Sequence, residues 1–293
     1  MRRAADKIPR TIRVISVMDR EGDSFALYDA HRRHKRVDVL VRARADRILH
    51  KGGRLFATLA AGPAAGQVQI EIKKVTARPK SQGTPVRAGR RYRIARAEVR
   101  FRRVTLPATG VAPEAAPVSL YGVHIRESAP PKGEKAIEWR LLTSVAVHTV
   151  TEALQVLDHY VKRWRIEDFF RVLKSGCRVE RLALRTALRL ERALAIYCVI
   201  AWRLMLLTLL GRTVPAMNPE VFFTELELRF LTSYARRITA PGPDTLQSAI
   251  RLVAILGGYQ NRSRDPPPGH QIMWRGLERM ALATLGYKIR DDE

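Results

Sequence analysis

The chain has 293 residues, with 53 Lys and Arg against 28 Asp and Glu and a formal charge of +25. A hydrophobic share of 46% supports one large domain or two smaller ones and excludes general disorder, and two cysteines exclude a disulfide framework or an all-cysteine zinc site. The surplus calls for a polyanionic partner, nucleic acid first, because cations that neutralise phosphates release condensed counterions.

Residues 11–18 (TIRVISVM) form a short β-branched apolar run that reads as a buried strand ending at Asp19. Residues 23–34 read as a helix and residues 37–43 (VDVLVRA) as a second strand. Strand, helix and strand at this spacing make a βαβ unit with a parallel pair. His31 and His34 read as a solvated helix end rather than a metal pair.

The pattern changes from Leu55. Residues 67–75, 92–106 and 118–126 alternate apolar and basic residues, parted by Gly62-Pro63, Gly83, Pro85, Gly89, Pro107 and Pro113. This predicts an antiparallel β subdomain, at about 45–136, inserted into the α/β chain. Residues 41–133 hold 19 Lys and Arg against 5 Asp and Glu, so the charge lies on a folded surface and not on a tail. Residues 137–143 read as the strand leading back.

Beyond Thr151 the chain turns helical. Residues 151–174 read as one long helix capped by Ser175-Gly176, and residues 179–212 as a second long helix. Within the latter, residues 193–210 carry a single charge, Arg203, which approaches the roughly 20 apolar residues of a membrane span. With Arg203 in its middle, the stretch reads as a core helix and no membrane is expected. Residues 211–219 read as a linker, and residues 222–237, 245–256 and 271–284 as further helices. Cys177 and Cys198 read as packing thiols, and no glycine-rich loop indicates ATP use. The fold class is therefore α/β with an inserted β subdomain, residues 1–212, followed by an all-α domain, residues 213–293. The first residues show no apolar run behind their charges, which predicts a cytoplasmic protein.

Residues 160–174 (YVKRWRIEDFFRVLK) are the richest in chemistry. At about 100° per residue, Tyr160, Arg163, Glu167, Arg171 and Lys174 fall on one stripe roughly 80° wide, with Ile166, Phe169, Phe170 and Leu173 mostly off it. A carboxylate among cations suits a phosphate-transfer site, where the acid holds a divalent metal and the cations place phosphate oxygens. The plainer reading is a solvated face with Arg163–Glu167 and Glu167–Arg171 ion pairs. Asp19, directly after a buried strand, sits on the usual ligand side of an open α/β sheet, or else caps a turn.

The segments VISVMDREGD (14–23) and YVKRWRIEDFFRVLKSG (160–176) resemble the DDE transposases of the insertion-sequence-four group, of the transposon-five type. The second fits that family's Y-x2-R-x3-E-x6-K signature as Tyr160, Arg163, Glu167 and Lys174. The resemblance spans nearly the whole chain, including Pro131-Lys132-Gly133-Glu134 and Leu256-Gly257-Gly258-Tyr259. It implies a ribonuclease-H-like core interrupted by a β-rich insertion, then a helical dimerisation domain. It implies Asp19 and Glu167 as the second and third metal-binding acids of cut-and-paste transposition, with two Mg2+ ions or Mn2+ in their place. It implies that Tyr160, Arg163 and Lys174, with Arg171 on the same stripe, contact phosphates of double-stranded transposon ends. Arg42 matches a further arginine near the cleavage site, and Trp139 a tryptophan that holds a flipped base; the plainer reading of Trp139 is a packed strand aromatic.

The family's first acid lies on the opening strand of its core. Asp6, among basic residues with no strand before it, does not match it. The expectation is a truncated copy with residues 11–18 as an unpaired edge, lacking the first Asp and the amino-terminal DNA-binding domain and inactive alone. The alternative function is an inactive remnant that forms a heterodimer with full-length transposase and inhibits it. A basic nucleic-acid binder of another family is disfavoured by Glu167 among the cations.

Overall fold

The computed structural model describes residues 5–72, 91–108, 114–177, 179–262, 265 and 267–291. The chain divides into two compact units, Met1–Arg163 and Trp164–Glu293.

In the first unit, β1 (Val14–Met18) and β2 (Val37–Arg42) pair in parallel, joined by a 3-10 turn (Arg20–Gly22) and helix α1 (Phe25–Arg33). The expected βαβ unit is present. Asp19 starts the turn by accepting the Glu21 amide at 2.9 Å, and Ser24 caps α1 by accepting from the Leu27 amide. After the short helix α2 (Leu55–Ala60) come β3 (Gly66–Ile72), β4 (Arg93–Leu106), β5 (Val118–Glu127) and β6 (Glu138–Thr143). They pair antiparallel, as their alternation predicts. They do not form a sheet of their own: β6 pairs with β2, so all six strands make one mixed sheet of order β1-β2-β6-β5-β4-β3. The expected strand residues 73–75 and the punctuating Gly83, Pro85, Gly89 and Pro113 lie outside the described residues.

Alternation along the strands sends side chains to two cores. On one face Val39, Val41, Leu120 and Leu142 pack against Phe25, Tyr28, Leu55 and Leu59 of α1 and α2. On the other, Leu40, Val123, Ile125 and Leu141 pack against Ala153, Val156 and Leu157 of α3 (Val150–Val161). Thr149 and Glu152 close a reciprocal capping box at the start of α3. The buried carboxylate of Asp23 ties loops to this frame. It accepts from the Tyr28 hydroxyl at 2.9 Å, the Arg44 amide at 2.7 Å and the Arg47 guanidinium at 2.9 Å. Burial first, and the Asp23 charge second, push the Tyr28 phenol far above its ordinary range. His31, read as solvated, instead has its Nδ1 2.8 Å from the Val37 carbonyl.

The second unit is helical. It contains α4 (Arg165–Arg171), a wide π turn (Val172–Gly176), α5 (Ala187–Thr213), α6 (Glu225–Arg237), α7 (Leu246–Leu256) and α8 (His270–Asp291). Leu204, Leu207, Leu231, Val253 and Met273 meet in its core. Helices α7 and α8 approach backbone to backbone. A Cβ at Gly276 would stand 2.0 Å from the Val253 carbonyl oxygen, and one at Gly257 2.0 Å from that of Ile272. Cys177 is a buried packing thiol, as read, and burial pushes its pKa up to about 11.

Three expectations need correction. Residues 151–174 are not one helix: α3 ends at Val161, a 3-10 turn (Lys162–Trp164) follows, and α4 gives way to the π turn. The stretch 193–210 is not simply a core helix. One face of α5 buries Ala201, Leu204 and Leu207, while Ile196, Val199 and Trp202 are exposed. The start of the expected linker at 211–219 is helical, since α5 continues to Thr213.

Candidate nucleic-acid and metal site

The parallel register Met18↔Val41 brings Asp19, after β1, and Arg42, the last residue of β2, to the same carboxyl end of the sheet. Arg42 projects to the α3 side. Its guanidinium donates to the Glu138 carbonyl at 3.0 Å and hydrogen-bonds the hydroxyl of Tyr160, whose body is buried at the end of α3. Trp139, one residue along β6, packs in the same core, its ring centroid 6.4 Å from that of Tyr160. The plainer reading of Trp139 as a packed strand aromatic describes its surroundings.

Burial lowers the pKa of Arg42, and the guanidiniums of Arg20 and Arg163 lower it further, against the favourable Tyr160 contact. Arginine remains charged throughout, so three like charges are held near one another. The structure thus brings Arg42, Trp139, Tyr160 and Arg163 together. It adds Arg20, which the sequence reading passed over. Its position directly after the strand-end acid was the available signal.

In the second unit, Glu167 stands exposed on α4. Its neighbour Asp168 pairs with Arg171 at 2.9 Å. Lys174 lies in the π turn, its Nζ 3.4 Å from Glu180. Widened turns of this kind are frequent at functional sites. The even 100° stripe drawn for residues 160–174 does not hold, because the 3-10 and π turns each change the winding. Tyr160 and Arg163 belong to the first unit, and Glu167, Arg171 and Lys174 to the second.

Exposed carboxylates such as Asp19 and Glu167 are hard oxygen donors, the type Mg2+ takes one or two at a time while keeping several waters. Among the described residues, no group of three or more His, Cys, Asp or Glu is gathered to hold a metal ion.

Comparison with protein-family models supplies what local geometry leaves open. Residues 1–203 match the model described as the transposase DDE domain. The chain belongs to the DDE transposase family. Residues 199–290 match a second model, the transposase Tn5 dimerisation domain. The first match covers the sheet, the arginine cluster, Glu167 and Lys174, and the second covers α6, α7 and α8. Transposases of the DDE family use divalent metal ions.

Proposed function

We propose that the chain acts in cut-and-paste DNA transposition. It binds the double-stranded ends of a transposon through the cluster at the carboxyl end of β1 and β2. The observation that carries this reading is the Arg42–Tyr160 hydrogen bond with Arg20 and Arg163 around it, beside Asp19. Guanidiniums present forked donors that match phosphate oxygens, and the Tyr160 hydroxyl fixes the Arg42 fork before DNA arrives. Arg171 and Lys174 add phosphate contacts from the second unit, and Trp139 offers an aromatic face to a flipped base.

Asp19 and Glu167 would hold Mg2+, with Mn2+ a substitute. The metal would lower the pKa of a nucleophilic water and neutralise charge on the phosphate. The resemblance supplies no match for the family's first acid, since Asp6 does not fit it, and the chain alone is therefore expected to bind ends without cutting them. It dimerises through its carboxyl-terminal helices and works in the cytoplasm, on the nucleoid when DNA-bound. The second unit has a core of its own, and this favours a second reading: a heterodimer with an active transposase, which the chain inhibits.

The test is fluorescence anisotropy with a labelled duplex over a salt series, wild type against Arg42→Ala and Arg163→Ala. Removing one phosphate-neutralising arginine should flatten the log-affinity against log-salt slope by roughly 0.9. Equal slopes in all three proteins would remove the cluster as the DNA site. Nicking of transposon-end duplex in Mg2+ by the chain alone would overturn the claim of inactivity. Full activity of a complete transposase mixed with excess chain would overturn the inhibitory reading.

A further inference from the structure

Helix α5 is apolar on opposite faces, and only one of them is used. Ala201, Leu204 and Leu207 enter the core of the second unit. On the other side Leu188 is 56% exposed, Ile196 62%, Val199 66% and Trp202 53%. By length and composition the helix could cross a membrane. A contiguous apolar face of this kind on a soluble chain marks an interaction site.

The spacing tells what covers it. Leu188, Arg192, Ala195, Val199 and Trp202 follow one another at intervals of four, three, four and three, the alternation of a helix-pairing seam. A lipid surface asks for a broad apolar face and charges held away from it. Here the seam contains Arg192 and has the small Ala195 at its middle, with Ile196 flanking it on one side. In an antiparallel pair of identical helices crossing at Ala195, Leu188 of one copy lies level with Trp202 of the other, about 10 Å from the two-fold axis. Large residues then flank a small one, and the axes can approach to roughly 8–10 Å. The seam is also continuous with the matched dimerisation segment, which begins at residue 199 inside this helix.

We propose that the exposed face of α5 is a homodimer seam, formed by antiparallel pairing with α5 of a second copy about Ala195. This rests on the reading that the chain dimerises through its carboxyl-terminal helices, and it extends the interface towards Leu188, beyond the matched dimerisation segment.

Two measurements on the full chain test it. Light scattering after size exclusion should show wild type as a dimer, and the double variant Val199→Asp with Trp202→Asp as a monomer, at least tenfold weaker in self-association with its helix content retained. Ala195→Cys, in a background with Cys177→Ser and Cys198→Ser, should give a covalent dimer on mild oxidation. Opposed cysteines at the two-fold axis meet the distance a disulfide needs and a shifted pair does not, while Leu188→Cys in the same background should stay unlinked in the antiparallel pair, its two copies about 21 Å apart along the axis, and would cross-link to itself in a parallel one. A wild-type dimer that survives the double substitution and does not cross-link overturns the seam and leaves dimerisation standing. A chain monomeric at all concentrations overturns dimerisation and the seam with it. Binding to vesicles of three parts neutral to one part anionic lipid, abolished in the double variant while the solution mass stays unchanged, shows that the face meets lipid and also overturns the seam. Should the double variant unfold, the Ala195→Cys cross-link alone decides.

Discussion

The two units keep their structure by different means. The first is a sheet whose loops and edges are pinned by buried charged groups. Asp23 gathers Tyr28, Arg44 and Arg47, Glu127 pairs with Arg93, and His124 lies against Glu138 between the strands. The second is a set of helices held chiefly by close packing, with a few arginine ties such as Arg203 to Glu227 and Arg279 to the Leu256 carbonyl, and so tight at α7 and α8 that two glycines leave no room for a methyl group. A network of buried polar groups depends on every partner being present, whereas close packing depends on volume. The units should therefore fail under different substitutions, and hydrogen exchange read peptide by peptide can follow each one separately.

The largest effect should come from Asp23→Ala. The Asp23 side chain is fully buried, and its removal strands the Arg47 guanidinium, the Tyr28 hydroxyl and the Arg44 amide. Breaking one side of a buried ion pair costs about 3–5 kcal/mol. Protection should fall throughout the first unit and hold in the second. A loss below ~1 kcal/mol would show that the network is solvated and that the contrast between the units is smaller than their structures suggest.

Gly276→Ala should come next, and in the other unit. The added Cβ meets the Val253 carbonyl, a backbone atom that cannot rotate aside, so α7 and α8 must part. Overpacking of this kind typically costs about 1–3 kcal/mol, against which the gain in helix propensity over glycine is roughly 1 kcal/mol. Urea denaturation should show a net loss confined to the second unit. An unchanged or raised midpoint would mean that the helices slide at little cost.

The same contrast explains what could be read from sequence. The runs VISVM and VDVLVR carry the strand period, and glycine and proline mark strand ends further along the chain, so β1, α1 and β2 were legible. Asp19 was legible as an acid at a strand end. The break at residues 162–164 was not, because Lys162, Arg163 and Trp164 are ordinary helix residues and only tertiary packing distinguishes a tighter turn there. Helix α2, six residues long, is too short to show a period. The return of β6 to pair with β2 joins residues about a hundred positions apart, which no local pattern encodes. For that reason the antiparallel strands looked like a separate subdomain; Arg42 entered by resemblance alone, and its meeting with Tyr160 was not read at all.

The smallest effect expected is one of pH, and it sharpens the comparison because each unit holds one affected histidine. Burial lowers the pKa of His124, against the attraction of Glu138, and burial likewise lowers that of His270, against Asp168. With Nε2 of His124 2.8 Å from Glu138, a second proton would have to enter at Nδ1, a buried atom with no partner among the described residues. The sign follows from linkage. A histidine with a folded-state pKa below its unfolded value binds fewer protons when folded, so stability is complete above the ordinary value near ~6.5 and declines as pH falls below it. Between about pH 7.5 and 5.5, either side of that value, both units should lose stability. His124→Gln should flatten the decline in the first unit and leave the second unchanged, and His270→Gln should do the reverse. If either substitution flattened both, the two cores would be coupled and the units would not fail separately; if neither did, the pH dependence would have to come from the carboxylates.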